Sequence, residues 1–180
     1  MNLFFDRMRF RFFQARAFLF ASNAPDLPAD VCRLFRPGCE DQFRRLSAGE
    51  QRHLLAVHAV LSDVRASEEV KVAGLLHDIG KAYGDHRVRF PDRCMNVMLG
   101  RLAPRNDVDM SLAQSPPRFA VGLWLARNHE PLGAGIAYDL GYSPRIRWLI
   151  LHHDDVSTTD PGLVLIVAAD NTLHQDHNEA

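Results

Sequence analysis

The stretch Val72-Ala73-Gly74-Leu75-Leu76-His77-Asp78-Ile79-Gly80-Lys81 decides the fold. At 100° per residue, Val72, Leu75, Leu76 and Ile79 gather on one side of a helix, the side expected to face a core. Gly74, His77, Asp78 and, should the helix run that far, Lys81 collect on the other. A solvated face would ordinarily mix in longer charged side chains. A helix this apolar, with a His-Asp pair and a glycine on its back, is expected to be buried on both sides. Gly74, lacking a side chain, leaves room for something bulky beside the pair.

Working upstream, Ser47 and Glu50 have capping-box spacing, in which a hydroxyl and a carboxylate satisfy each other's free backbone N–H. His53, Val57, Val60, Leu61 and Val64 then recur at helical spacing. Gly80 and Gly84 offer ends to the helix carrying the His-Asp pair. Downstream, 84–117 is charged and interrupted by prolines, with one helix expected at Cys94–Leu102. Further helices are expected near Arg118–Arg127, over Leu132–Leu140 closed by Gly141, over Arg145–His153 after Pro144, and from Gly162 to about Leu173. Hardly any period-two alternation occurs, so the expected class is all-α, a compact multi-helix bundle. The bundle is expected over residues 48–180, and residues 1–47 form a partly helical N-terminal extension.

The bulk composition narrows the function classes. The 180 residues fit one ordinary domain, and 47% hydrophobic content is that of a globular protein. With 21 basic and 22 acidic residues there is no basic excess to hold a nucleic-acid polymer. Cys32, Cys39 and Cys94 form no CxxC pair, which fits reduced thiols in a cytoplasmic protein. No apolar run is long enough for a bilayer-spanning helix. Within residues 1–21, seven phenylalanines are interleaved with Arg7, Arg9, Arg11 and Arg16, which break any secretory core. That segment either packs its aromatic side on the domain or rests weakly on an anionic membrane surface.

Histidines and aspartates fall on the apolar lines of several other helices. Asp170 follows Leu163, Ile166 and Val167 at i+7, so a carboxylate joins an apolar stripe. A buried carboxylate requires a cation, a donor or a metal. His153 extends the line of Ile146, Leu149 and Ile150 with His152 beside it, and His53 heads its own stripe. One such histidine is usually a satisfied core residue. Several on separate helices can converge, as in helical metal sites. Mixed nitrogen and oxygen donors suit iron, manganese, cobalt, zinc or magnesium.

The order of these residues resembles the HD superfamily of metal-dependent phosphohydrolases. His53 leads HLLAV, His77-Asp78 stands in AGLLHDIGK, and Asp170 ends LIVAAD. The resemblance runs from about Gln51 to Thr172. NHEPLGAGIA, with His129, and ILHHDD, with His152 and His153, look like the two-metal branch that includes the HDIG and HD-GYP proteins. The residues after the histidine pair are Asp154-Asp155-Val156-Ser157, so the Gly-Tyr-Pro motif of HD-GYP proteins is missing. Some relatives carry a third-metal glutamate one turn before the first histidine; Gly49 stands there, with Glu50 one residue off.

The resemblance implies two divalent ions bridged by Asp78. His53, His77 and Asp170 would complete one site, and His129, His152 and His153 the other. A metal-bridged hydroxide would attack a phosphomonoester or phosphodiester, such as a nucleotide or related small molecule. Lys81 would contact a phosphoryl oxygen, and Arg87 and Arg89 could grip a polyphosphate. A helix-end lysine and loop arginines also serve the dipole and solubility. The competing reading is a regulatory module that binds metal or nucleotide without turnover.

Overall fold

The computed structural model describes residues 23–89, 91–93 and 121–176, with backbone alone over 172–176. The aromatic-arginine segment 1–21, the helix expected over Cys94–Leu102 and the start of that expected at Arg118 lie outside these residues. Two short helices, α1 (Ala29–Leu34) and α2 (Cys39–Arg44), lead into α3 (Ala48–Asp63) and α4 (Glu68–Leu76). A 3₁₀ turn, Ile79–Lys81, opens a two-stranded hairpin of β1 (Ala82–Tyr83) and β2 (His86–Arg87). The chain resumes with α5 (Val121–Asp139), α6 (Pro144–Leu151) and α7 (Pro161–Asp176). The architecture is all-α, a helical bundle with one small hairpin among the described residues.

Helix starts follow from local chemistry. Ser47, Ser67 and Ser143 each accept the backbone N–H three residues on, at the heads of α3, α4 and α6. Asp160 does the same for Leu163 at the head of α7. The Ser47–Glu50 capping box is complete. α5 closes in a Schellman pattern: Gly141 (φ 76°) and Tyr142 return their N–H groups to the carbonyls of Tyr138 and Ala137.

α4 sits at the centre and packs against α3, α6 and α7. Leu54, Val57 and Leu61 of α3, Leu75 and Leu76 of α4, Leu149 and Ile150 of α6, and Leu163 and Ile166 of α7 form one buried core. Val31, Cys39, Phe43 and Leu46 join that same core. Where described, then, the segment ahead of residue 48 is packed into the bundle. Tyr142 fastens it: its hydroxyl accepts from Arg36 N–H and donates to the Leu34 carbonyl, both at 3.1 Å. Cys32 is exposed, Cys39 is buried, and both are free thiols. Among the described residues no helix is long and apolar enough to cross a membrane.

Three local features depart from the sequence expectation. The helix of the His-Asp pair stops at Leu76; Asp78 (φ −99°, ψ 8°) leaves helical geometry and Ile79–Lys81 winds tighter. The space beside Gly74 is filled by Leu61 and Val57 of α3, so its bareness serves helix packing. The two helices expected over 118–140 are one run broken at Asn128 (φ −123°), three residues before Pro131. Proline lacks the N–H for the carbonyl four residues back and crowds it, which accounts for the break.

The 3₁₀ turn packs directly on α5. A Cβ at Gly80 would lie 2.1 Å from the His129 carbonyl oxygen and 2.5 Å from Gly133 N, so only glycine permits the approach. Gly80→Ala is expected to destabilise the protein by about 1–3 kcal/mol, the usual cost of overpacking. Gly135, also on α5, has open space around it, and Gly135→Ala should be neutral or stabilise by up to about 1 kcal/mol. Urea unfolding midpoints measure both, and a Gly80→Ala midpoint equal to that of the parent would contradict the packing described.

Candidate metal centre

The site forms where helices end or break. A carbonyl in the last turn of a helix has no N–H ahead of it and takes its donor from elsewhere. His77, the residue that closes α4, donates its Nδ1–H to the Gly74 carbonyl at 2.8 Å. His153, two residues beyond α6, donates to Ile150 at 2.7 Å. His129, one residue past the break in α5, donates to Ala126 at 3.1 Å, while Asn128 caps Trp124 at 2.7 Å. Carbonyls only accept, so in each ring Nδ1 carries the proton. Each Nε2 is then turned to the opposite side. Such a bond from the far ring nitrogen is how proteins orient metal-binding histidines.

Those Nε2 atoms converge on Asp78. Its carboxylate lies 3.3 Å from His129 Nε2, 3.6 Å from His77 Nε2 and 3.9 Å from His153 Nε2. His53, on α3, places Nε2 2.9 Å from Asp170, which stands on α7 and lies 3.9 Å from His77 Nε2. The imidazoles form a continuous file, with centroid spacings of 5.5 Å from His53 to His77, 4.9 Å on to His153 and 5.2 Å on to His129. His77, Asp78, His129 and His153 are buried. Ligand atoms of His53, His77 and Asp78 lie within 4.8 Å of one another, and so do those of Asp78, His129 and His153.

Burial pushes the His129 pKa down to about 3, aided by the Lys81 ammonium, and it also lowers that of His153. Both rings are therefore neutral near pH 7, with a bare lone pair on Nε2. Burial alone would raise the Asp78 carboxyl. The Lys81 ammonium in contact with it, together with the neighbouring imidazoles, holds it well below the usual carboxylate range. Lone pairs thus face a carboxylate across a nearly dry gap, an arrangement that a divalent cation suits. The donor set fits the metal implied by the sequence resemblance.

Of the residues singled out in sequence, His53, His77, Asp78, His129, His153 and Asp170 come together and Lys81 joins them. His152 does not. It stacks on Trp148 at 4.6 Å, and its Nδ1 donates to the Trp148 carbonyl at 2.8 Å. Beyond the end of α6 it is His153 whose Nε2 takes the inward direction. Arg87 and Arg89 are exposed on and just after β2, and the Arg89 N–H donates to Asp92. Two acidic residues were overlooked in sequence. Glu130 and Asp154 each directly follow a site histidine, and their ligand atoms group with that of His129 within 4.8 Å. An acid immediately after each of the two histidines was the available signal. Glu50, buried three residues before His53, is committed to Ser47 and Arg93.

The depressed histidines set a pH dependence for the metal-free fold. The unfolded chain takes up a proton near 6.5, whereas folded His129 resists until about 3. Between those values the unfolded state binds more protons, so stability falls as pH falls, at most by about 1.4 kcal/mol per pH unit per group. His153, and at lower pH Asp78, act in the same direction. The melting temperature of chelator-treated protein should therefore drop from pH 7.5 to pH 5, and less steeply in His129→Gln. A flat profile would speak against neutral buried imidazoles.

The HD domain family matches residues 51–174, a span containing every ligand candidate named above. No curated protein and no solved structure matches the chain. With histidines and aspartates in the family's order, brought together by packed helices, the chain belongs to the HD domain family.

Proposed function

We propose that this chain hydrolyses a phosphomonoester or phosphodiester of a small molecule, such as a nucleotide, using two divalent ions that share Asp78. The observation that carries this reading is the cage of acceptors, in which neutral His129 and His153 and ionised Asp78 turn their lone pairs on one another. His53, His77, Asp78 and Asp170 suit one ion, and Asp78, His129 and His153 suit the second. The mixed donors accommodate iron, manganese, cobalt, zinc or magnesium. When bound, such ions neutralise phosphoryl charge and make water a nucleophile near neutral pH.

The chain's own groups supply position and exclusion. Asp78 is held by the 3₁₀ turn behind it, so its two oxygens keep fixed directions toward the two ligand sets. Lys81, partly exposed and touching Asp78, can offer an N–H donor to a phosphoryl oxygen at the mouth of the site. Arg87 and Arg89 are exposed on and beside a hairpin that packs on α5, and they supply positive charge for a further phosphate. The buried walls keep bulk water from screening these interactions.

Loss of an outer partner of a metal ligand typically costs about 10–100-fold in affinity or activity, and loss of the shared ligand should exceed this. Asp78→Ala, reconstituted with manganese, is expected to lose phosphoester turnover and bound metal with its far-UV circular dichroism preserved. Undiminished turnover would refute the assignment. A metal-loaded parent protein inert toward a broad phosphoester panel would instead identify a regulatory module.

A further inference from the structure

The second ion position, as the family pattern draws it, takes both histidines of the His152-His153 pair, and here His152 is held against Trp148. His152 lies flat against Trp148, its Nδ1 tied to the backbone. The next residue after the pair is an acid that reaches back to the inward histidine. Asp154 Oδ1 is 3.4 Å from His153 Nε2, on the nitrogen that also faces Asp78. Ligand atoms of Asp154, His129 and Glu130, the last 2% exposed, lie within 4.8 Å of one another. Glu130 Oε2 in turn lies 3.7 Å from His129 Nδ1. Two carboxyl groups thus meet beside two imidazoles that already converge on Asp78.

We propose that Asp154 ligates the second divalent ion in the place that the family pattern gives to His152, with Glu130 as the residue that positions its carboxylate. The inference rests on the two-ion reading above and deepens it. Replacing an imidazole by a carboxylate adds a negative charge and a hard oxygen donor. The second position then becomes a two-histidine, two-carboxylate set, formed by Asp78, His129, His153 and Asp154, that favours manganese, iron or magnesium over softer ions. The side chain of Asp154 is 58% exposed, so it can move onto an ion without disturbing the core. Asp155, the other acid of the stretch, is occupied with Ser157 and faces solvent.

The test is calorimetric titration of chelator-treated full chain with manganese chloride alone, scored by stoichiometry and affinity of each step. The parent should bind two ions. Asp154→Asn should weaken one step at least tenfold and leave the other unchanged, Glu130→Gln should weaken the same step, and His152→Ala should alter neither. Near-UV circular dichroism checks that the variants keep the parent's packing. Two tight ions in Asp154→Asn, or loss of the second ion in His152→Ala, would overturn the inference while leaving the two-ion reading standing. A parent that binds a single ion, or none, would overturn the inference and the two-ion reading together.

Discussion

Backbone carbonyls stranded at helix ends are the constraint on which this site is built. Gly74 and Ile150 sit in the last turn of their helices and Ala126 beside the break in α5, and an unmet carbonyl inside a core is costly. In each case the histidine three residues later supplies the donor. That bond decides more than one carbonyl's satisfaction. It fixes the tautomer and the ring plane, and it leaves the opposite nitrogen no freedom to look elsewhere. Since α4, α5 and α6 end or break around one spot, three such nitrogens arrive together. Asp78, released from helical geometry by the turn that follows, meets them.

The assembled groups are poor companions without a cation. Acceptors crowd one another at 3.3–3.9 Å in surroundings that screen little. Lys81 offsets part of the charge from one side, and the remaining cost falls on the fold. The packing elsewhere is correspondingly strict: Gly80 lets the 3₁₀ turn lie on α5 with no intervening side chain, and the interlocked leucines of α3, α4, α6 and α7 hold the helix ends in register. Stability given up at the centre is recovered in the apolar shell around it, as is usual for functional sites in marginally stable proteins.

Much of this was legible in the sequence, because helical periodicity and caps are local signals. The serine caps, the Gly141 stop, the apolar stripes and the buried character of His77 and Asp78 follow from residues within a few positions of one another. What was hidden depends on where a helix stops. His152 and His153 are equivalent by pattern, and only the end of α6 at Leu151 decides which one turns inward. Pro131 announced a disturbance in α5 but not that His129 would donate to the Ala126 carbonyl beside the break. The hairpin of four paired residues is too short to show alternation. The burial of Val31, Cys39, Phe43 and Leu46 was equally obscure, since helices of six residues carry little periodic signal.

The bond from Tyr142 to the backbone at Leu34 and Arg36 has a consequence for biosynthesis. It joins positions 106 and 108 residues apart, and the pocket for Phe43 and its neighbours is shared with helices that emerge after that tyrosine. A chain leaving the ribosome N-terminus first therefore displays Val31, Phe43 and Leu46 for seconds before their partners exist, at ordinary elongation rates. Closure of this core waits until the helices that follow Tyr142 have been made.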